Sequence, residues 1–203
     1  MDLFFDFSDP SNSWIMGFCD HFSSFPIGKQ FHYTGVRFLP GMLPHLIDTD
    51  ASHLTGSVVD LQALAPETAA FLASRVDASQ PWQVISALLD EHFLCLLHNA
   101  RLRFDSRLYD AVAAILLDQE HKLQHLRTGI SGRHLRRLFA QIIGGTPKDF
   151  SQVVRFQKNL HGLHPYKGRT HRTLPFDAAY TDQSHFIKAF RRFYGTTPGK
   201  MLA

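Results

Sequence analysis

"ISGRHLRRLFAQIIGGTPKDF", residues 130–150, decides the fold, because a stretch of the same build, "TDQSHFIKAFRRFYGTTPGKM", returns at residues 181–201. At an offset of 51, His134 pairs with His185, Phe139 with Phe190, and Gly144 with Gly195. Thr146 likewise pairs with Thr197 and Pro147 with Pro198. A chain that repeats one supersecondary unit uses it twice.

Each copy reads as a capped amphipathic helix. In the first, Ser131 is the cap, and Leu135, Leu138, Phe139 and Ile142 fall at i, i+3, i+4 and i+7, which makes one apolar stripe. The opposite face, at about 100° per residue, carries Arg133, Arg136, Arg137 and Ala140. In the second, Asp182 is the cap and Phe186, Ala189, Phe190 and Phe193 form the stripe. Its outer face carries Ser184, Ile187, Lys188 and Arg191. The stripes are core, whereas the outer faces are small and cationic, a size that fits a groove. His134 and His185 read as local packing or bonding groups, and the two Thr-Pro pairs as helix stops.

A short helical piece and a tight turn precede each copy, "HKLQHLRTG" before the first and "TLPFDAAYT" before the second. Helix, turn and a second helix with a basic outer face is the helix-turn-helix arrangement. Its second helix can enter the major groove, where Arg or Lys bonds guanine O6 and N7. Two copies in one chain would read two successive groove segments.

The charge distribution agrees. Of the 21 Lys+Arg and 18 Asp+Glu, residues 106–203 hold 16 and 6, a net of +10. Residues 1–105 hold the remaining 5 and 12, a net of −7, and the two sum to the overall +3. The basic half expects a polyanion that the acidic half would repel, so the split implies two regions with separate tasks. A length of 203 residues suits one large or two small domains, and 44% apolar with 19% charged residues reads as soluble and globular.

In the first half, "QFHYTGVRFLPG" reads as a strand ending in a Pro-Gly turn, and "MLPHLI" as a short helical or irregular piece. "PETAAFLASRV" has Pro at a first helical position. "SQPWQVISALLDEHFLCLLHNAR" sets Val84, Leu88, Leu89, Phe93, Leu96 and Leu97 at helical spacing. Asp90, Glu91 and His92 interrupt this most apolar stretch, which marks it as a packed helix and not a membrane span. "DSRLYDAVAAILLDQE" is a further helix with Asp105 or Ser106 as its cap.

"SGRHLRRLF", "GGTPKDF", "VVRFQKNL" and "DQSHFIKAFRRFYGTTPGKML" together resemble the DNA-binding region of AraC-type (AraC/XylS) transcriptional regulators, over about residues 106–203. The second half carries the more specific part, Asp-Gln-Ser-His-Phe, then Phe-Arg-Arg-Phe, then Gly-x-Thr-Pro. The resemblance implies two three-helix helix-turn-helix units joined by a linker helix, here "KDFSQVVRFQKNLHGL". Carried over residue by residue, it implies base-reading positions at Arg133, Arg136 and Arg137, and at Gln183, Ser184, His185, Ile187 and Lys188. The outward-face reading adds Arg191 and leaves His185 on the flank. The chain departs from the family pattern at Ala179, Gln124 and His125, and Pro175 shortens the second supporting helix. "GVRFLPGMLPHLI" and the run to about residue 100 are similar to a subgroup with a small β-rich sensory region, here without its opening strands. A six- to eight-stranded barrel does not fit about 60 residues.

The expected fold is therefore mainly α, with a C-terminal all-α double helix-turn-helix and a small N-terminal α+β region. Residues 1–104 form a sensory or interaction region, β-rich to about 60 and helical after, and 105–203 the DNA-binding domain with units at about 106–150 and 164–203. The expected function is sequence-specific DNA binding in transcriptional regulation. The alternative is an interaction protein that modulates another regulator, with degenerate DNA contacts. Double-stranded DNA is the expected partner; RNA polymerase, and a small-molecule effector or second subunit at the N-terminal region, are further candidates. Cys19 and Cys95 read as free thiols, and the acidic start lacks the pattern of a secretory leader, so a cytoplasmic, nucleoid-associated protein is expected. Although there are 13 His, His121 and His125 lack the Glu of a metalloprotease motif, and no Cys pair has zinc spacing. Neither a catalytic constellation, a metal site nor a cofactor is expected; Cys19 beside Asp20 and His21 is adjacency, not an arrangement.

Overall fold

The computed structural model describes residues 1–24, 31–100, 104–117, 129–163, 180 and 182–202. Two compact units divide the chain. The first comprises Met1–Phe18, Phe25–Phe104 and Ala140–Gly144; the second comprises Cys19–Ser24, Asp105–Phe139 and Gly145–Ala203.

A four-stranded antiparallel sheet anchors the first unit: β1 (Asp2–Asp6), β2 (Asp9–Met16), β3 (Tyr33–Arg37) and β4 (Val58–Asp60), in the order β3-β1-β2-β4. Two strands thus open the chain where none was expected. Their pattern is hidden because both faces are apolar. Leu3, Phe5 and Ile15 point into the core, while on the other face the Phe4 ring stacks on Trp14 with centroids 5.5 Å apart and meets Tyr33 edge-on at 6.1 Å. A strand that is apolar on both sides shows no period of two. The expected strand at "QFHYTGVRFLPG" narrows to Tyr33–Arg37, although Phe38 N–H still donates to the Met1 carbonyl at 3.1 Å.

Four helices cover the inner face: α1 (Leu43–Leu46), α2 (Leu61–Leu64), α3 (Pro66–Arg75) and α4 (Trp82–Asn99). Leu3, Phe5, Ile15, Leu43, Leu54, Leu61, Leu72 and Ile85 are at most 1% exposed and make one core. Each such side chain contributes roughly 1.5–3 kcal/mol by leaving water. Pro66 starts α3, where its missing N–H costs nothing. In α4 the expected stripe needs one correction: Val84 is 44% exposed and Ile85 is buried. The stripe runs Ile85, Leu89, Phe93, because spacings of four keep it on the line facing the core.

The second unit is helical: α5 (Ser106–Leu117), most of α6 (Gly132–Ile143), α7 (Pro147–Leu163), α8 (Gln183–Tyr194) and α9 (Pro198–Leu202). The cap of α5 is Asp105, whose carboxylate accepts the Arg107 N–H at 3.1 Å. Leu108, Ala111, Val112 and Ile115 form its buried stripe. The expected linker helix is α7. Phe139 of α6 meets Phe150 of α7 edge-on at 6.1 Å, and Phe156 of α7 packs against Phe186 and Phe190 of α8. The expected supporting pieces at 121–129 and 173–181, with Gln124, His125, Pro175 and Ala179, lie outside the described residues but for Gly129 and Tyr180.

The Thr-Pro pairs do not stop helices; they start them. α6 and α8 end at Gly144 and Gly195, whose φ values of +89° and +81° lie in the left-handed region that glycine alone enters without strain. Pro147 and Pro198 then open α7 and α9. Thr146 caps α7 with Asp149: the Asp149 N–H donates to Thr146 Oγ1 at 3.2 Å and the Thr146 N–H to Asp149 Oδ2 at 3.2 Å.

Candidate nucleic-acid interface

Both repeated helices are built from their caps outward. In α6 the Ser131 hydroxyl accepts the His134 N–H at 3.2 Å; in α8 the Asp182 carboxylate accepts the His185 N–H at 2.8 Å. Each cap satisfies one of the four N–H groups left orphaned at a helix start. Leu135 and Phe139 of α6 and Phe186 and Phe190 of α8 are buried, which fixes the rotation of each helix. In α6 Ile143 is buried where Ile142 was expected, continuing the i, i+4 line from Leu135 and Phe139.

With the stripes seated, the opposite faces are set. Arg133, Arg136 and Arg137 are exposed along α6. On α8, Gln183, Ser184, His185, Lys188 and Arg191 are exposed and Ile187 is half-buried. No ion pair among the described residues involves Arg133, Arg136, Arg137, Lys188 or Arg191, whereas Arg37, Arg107 and Arg192 each pair with an aspartate. Arg137 Nη2 lies 3.5 Å from His134 Nδ1, the outer limit of a hydrogen bond. His185 sets its ring edge-on to buried Tyr180, with centroids 5.4 Å apart, which places it on the α7 side of the helix. Both helices are 12 residues long, about 18 Å at 1.5 Å per residue, and so fit a groove about 12 Å wide when laid into it.

Arg192 behaves differently from its neighbour Arg191. Within the second unit its Nε donates to the Asp20 carbonyl at 2.9 Å, its Nη2 to the Asp20 carboxylate, and its Nη1 to Gln152 Oε1 at 3.1 Å. Asp20 is held below the ordinary carboxylate range, first by the hydrogen bond from His21 and then by Arg192, against the opposing effect of burial. Phe22 N–H donates to the Arg192 carbonyl, and its ring lies over Gly195. The segment Cys19–Ser24 is thus a clip on the end of α8. Sequence reading missed it, since Asp20 and Arg192 stand 172 residues apart and nothing local marks either.

Between α7 and α8 opens a cleft lined by Gln152, Arg155, His185, Lys188 and Arg192, with Tyr180 at its wall. In the first unit a second cleft lies beside β3, between His32, Tyr33 and Thr34 on one side and Gln80 and Trp82 on the other. Among the described residues no group of three or more His, Cys, Asp or Glu could hold a metal ion, and no helix is long and apolar enough to cross a membrane.

Residues 126–203 match the family described as Helix-turn-helix domain, and residues 1–60 match a Domain of unknown function (DUF6597). No curated protein and no solved structure matches the chain. The first match spans the whole of the repeat, α6, α7 and α8 included, and its family is of the AraC type. Residues 126–203 thus carry an AraC-type helix-turn-helix domain, which supports a DNA-binding regulator.

Proposed function

We propose that α6 and α8 are both reading helices, each entering one of two successive major-groove segments on the same face of a duplex. The observation that carries this reading is the pair of outer faces. Two helices of equal length, capped and anchored alike, each present cations that have no acidic partner among the described residues. Successive major-groove segments on one face lie about 34–36 Å apart. The linker helix α7, with 17 residues, spans about 25 Å of that at 1.5 Å per residue.

In this reading Arg136 is the principal base contact of α6, since its planar fork suits guanine O6 and N7, with Arg133 and Arg137 beside it. Gln183, Ser184, Ile187, Lys188 and Arg191 form the corresponding surface of α8, with His185 on its edge. The mixed amide, hydroxyl, apolar and cationic set of α8 suits a segment with adenine and thymine as well as guanine, since Gln bonds adenine and an apolar side chain meets the thymine methyl. Residues 105–203 form the DNA-binding domain, and residues 1–104 a sensory or interaction region that takes an effector or a second subunit. RNA polymerase is the natural further partner of a protein with this task.

Selection of bound duplexes from a random pool, at a stated salt concentration, tests the proposal. A continuous, non-palindromic site with two blocks of preference about one helical turn apart is the expected product. A pool that stays random would instead favour a protein acting through its N-terminal region, with degenerate DNA contacts.

A further inference from the structure

We infer that the cleft beside β3 in the first unit is a binding site for a small, uncharged aromatic molecule that carries a hydrogen-bond acceptor. The inference rests on the reading of residues 1–104 as a sensory region for calling that molecule an effector, but not for the chemistry of the cleft.

The walls come from three places in the chain. Phe7 follows β1, His32, Tyr33 and Thr34 lead into and along β3, and Gln80 and Trp82 stand at the start of α4. They line about 300 Å³, the lower end of the range for small-molecule sites and room for one or two fused rings. Trp82, Ile85 and Leu89 follow i, i+3 and i+7, so all three lie on the core-facing line of α4. Ile85 and Leu89 are buried, yet Trp82 on the same line is 53% exposed. Its indole meets the cleft where the core would otherwise continue. Thr34 pairs with Phe5 across the sheet, and Phe5 is buried, so Thr34 also stands on the core-facing side. The cleft is thus a gap at the edge of the core, into which the inner sides of a strand and a helix both turn.

Four of the six lining residues carry rings, Phe7, His32, Tyr33 and Trp82, which suits a flat ligand. A ring laid on Trp82 takes a large apolar face out of water without disturbing the core. Polar groups stand beside it. Gln80 Oε1 accepts the Asp77 N–H at 3.0 Å, which leaves the amide NH₂ as the end free to donate. The Thr34 hydroxyl donates as well, and no side chain caps the start of α4, where the Trp82 N–H lies. Charge disfavours ions of either sign. Residues 1–105 carry a net of −7, a field that repels anions, while the positive end of the α4 dipole at Trp82 repels cations. An uncharged ring with an acceptor oxygen meets neither penalty.

The full chain is titrated without DNA, at matched ionic strength, with three probes of one shape: benzamide, benzoate and benzylammonium. A Trp14→Phe background, which keeps a ring on Phe4, leaves Trp82 as the sole indole, so fluorescence reports the cleft. Benzamide is expected to change that emission saturably at millimolar concentrations, in keeping with so small a ligand. Benzoate and benzylammonium should each bind about two- to five-fold more weakly, the size of a helix-end charge effect. Thr34→Val keeps the β-branched shape and should weaken benzamide about two- to ten-fold, the loss of one hydrogen bond. Trp82→Ala should abolish the rise in thermal midpoint that benzamide gives the parent chain. No saturable response to benzamide overturns the inference, as does equal or tighter binding of either ion. So does a benzamide affinity that both variants leave unchanged, which would place the ligand elsewhere. If Thr34→Val fails to fold, Trp82→Ala decides alone, because its exposed side chain is not part of the core. Duplex affinity that benzamide does not change would count against the sensory reading alone, because the binding arms use no DNA.

Discussion

The two copies of the repeated helix share a frame and differ in what surrounds it. α6 carries three arginines on its outer face and is capped by a neutral hydroxyl; α8 carries a mixed set and is capped by a carboxylate. Their ends differ as well. The terminal glycine of α6, Gly144, is buried and accepts a hydrogen bond from Thr55 Oγ1 within the first unit. That of α8, Gly195, is exposed and lies under the Phe22 ring within the second. What was duplicated is the capped helix with its glycine stop, and what diverged is the surface around it. A frame is kept by local backbone chemistry, whereas each surface answers to its own environment.

The strongest way to break the equivalence of the two helices is to separate their sub-sites. Inserting five base pairs between them turns the second to the far side of the duplex, which a 17-residue helix cannot follow. Binding is expected to fall by roughly 10²–10⁴-fold, the loss of one of two linked contacts. Unchanged affinity by electrophoretic shift would leave one helix as the sole reader.

Single substitutions sharpen the comparison. Arg136→Ala should cost about 1–3 kcal/mol of binding and relax preference at one position of the first sub-site only. Lys188→Ala should act on the second sub-site in the same way. Uniform weakening by Arg136→Ala, read by repeating the duplex selection, would make that residue a phosphate contact instead.

The helix ends offer a smaller effect. Gly195→Ala places a Cβ in the left-handed region, costing roughly 1–2 kcal/mol, and directs it at the Phe22 ring, whose nearest atoms stand 2.7 Å from its position. The expected outcome is a lower thermal midpoint together with a loosened Cys19–Ser24 clip. Gly144→Ala meets the Ala51 carbonyl and Thr55 Oγ1, each at 3.0 Å, so it should lower the midpoint and leave the clip intact. Equal disturbance of the clip by both would contradict this division.

Which parts could be read from the sequence follows the same line. Ser131 and Asp182 as caps, the stripes through Phe139 and Phe190, and the cationic outer faces were all legible, because each depends on residues within a few positions along one helix. The start of α7 was misread, since Thr-Pro suits the end of one helix and the beginning of the next, and the left-handed glycine before it is what decides. β1 and β2 were missed because Phe4 and Trp14 stack on the face where a polar alternation was sought. Arg191 and Arg192 are indistinguishable as letters; the packing of α8 against α7 and the arrival of Asp20 separate an outward-facing cation from a tethered one. Contacts across 172 residues leave no periodic trace.

Asp20 itself supplies the smallest and most specific test, because α8 has this clip and α6 has no counterpart among the described residues. The pair with Arg192 is partly exposed, with side-chain accessibilities of 33% and 41%, so solvent screens it and its direct contribution to stability is below about 1 kcal/mol. The carboxyl is held below its ordinary value of 3.8, so the folded state binds this proton less readily than the unfolded chain does. Its contribution is therefore complete above the unfolded value and disappears as the pH falls through the lowered one. Asp20→Asn removes the charge but leaves the backbone carbonyl that also accepts from Arg192 Nε. The variant should exchange the Phe22 amide hydrogen faster than the wild type at neutral pH, because that N–H is held by the Arg192 carbonyl at the site the clip secures. In acid below the lowered carboxyl value the two proteins should exchange it alike. Loss of a negative charge next to Arg192 of α8 should also raise duplex affinity a few-fold. If Phe22 exchange is the same in both proteins at neutral pH, the ion pair does not hold the clip, and its seat on α8 rests on the Phe22 ring and Gly195 alone.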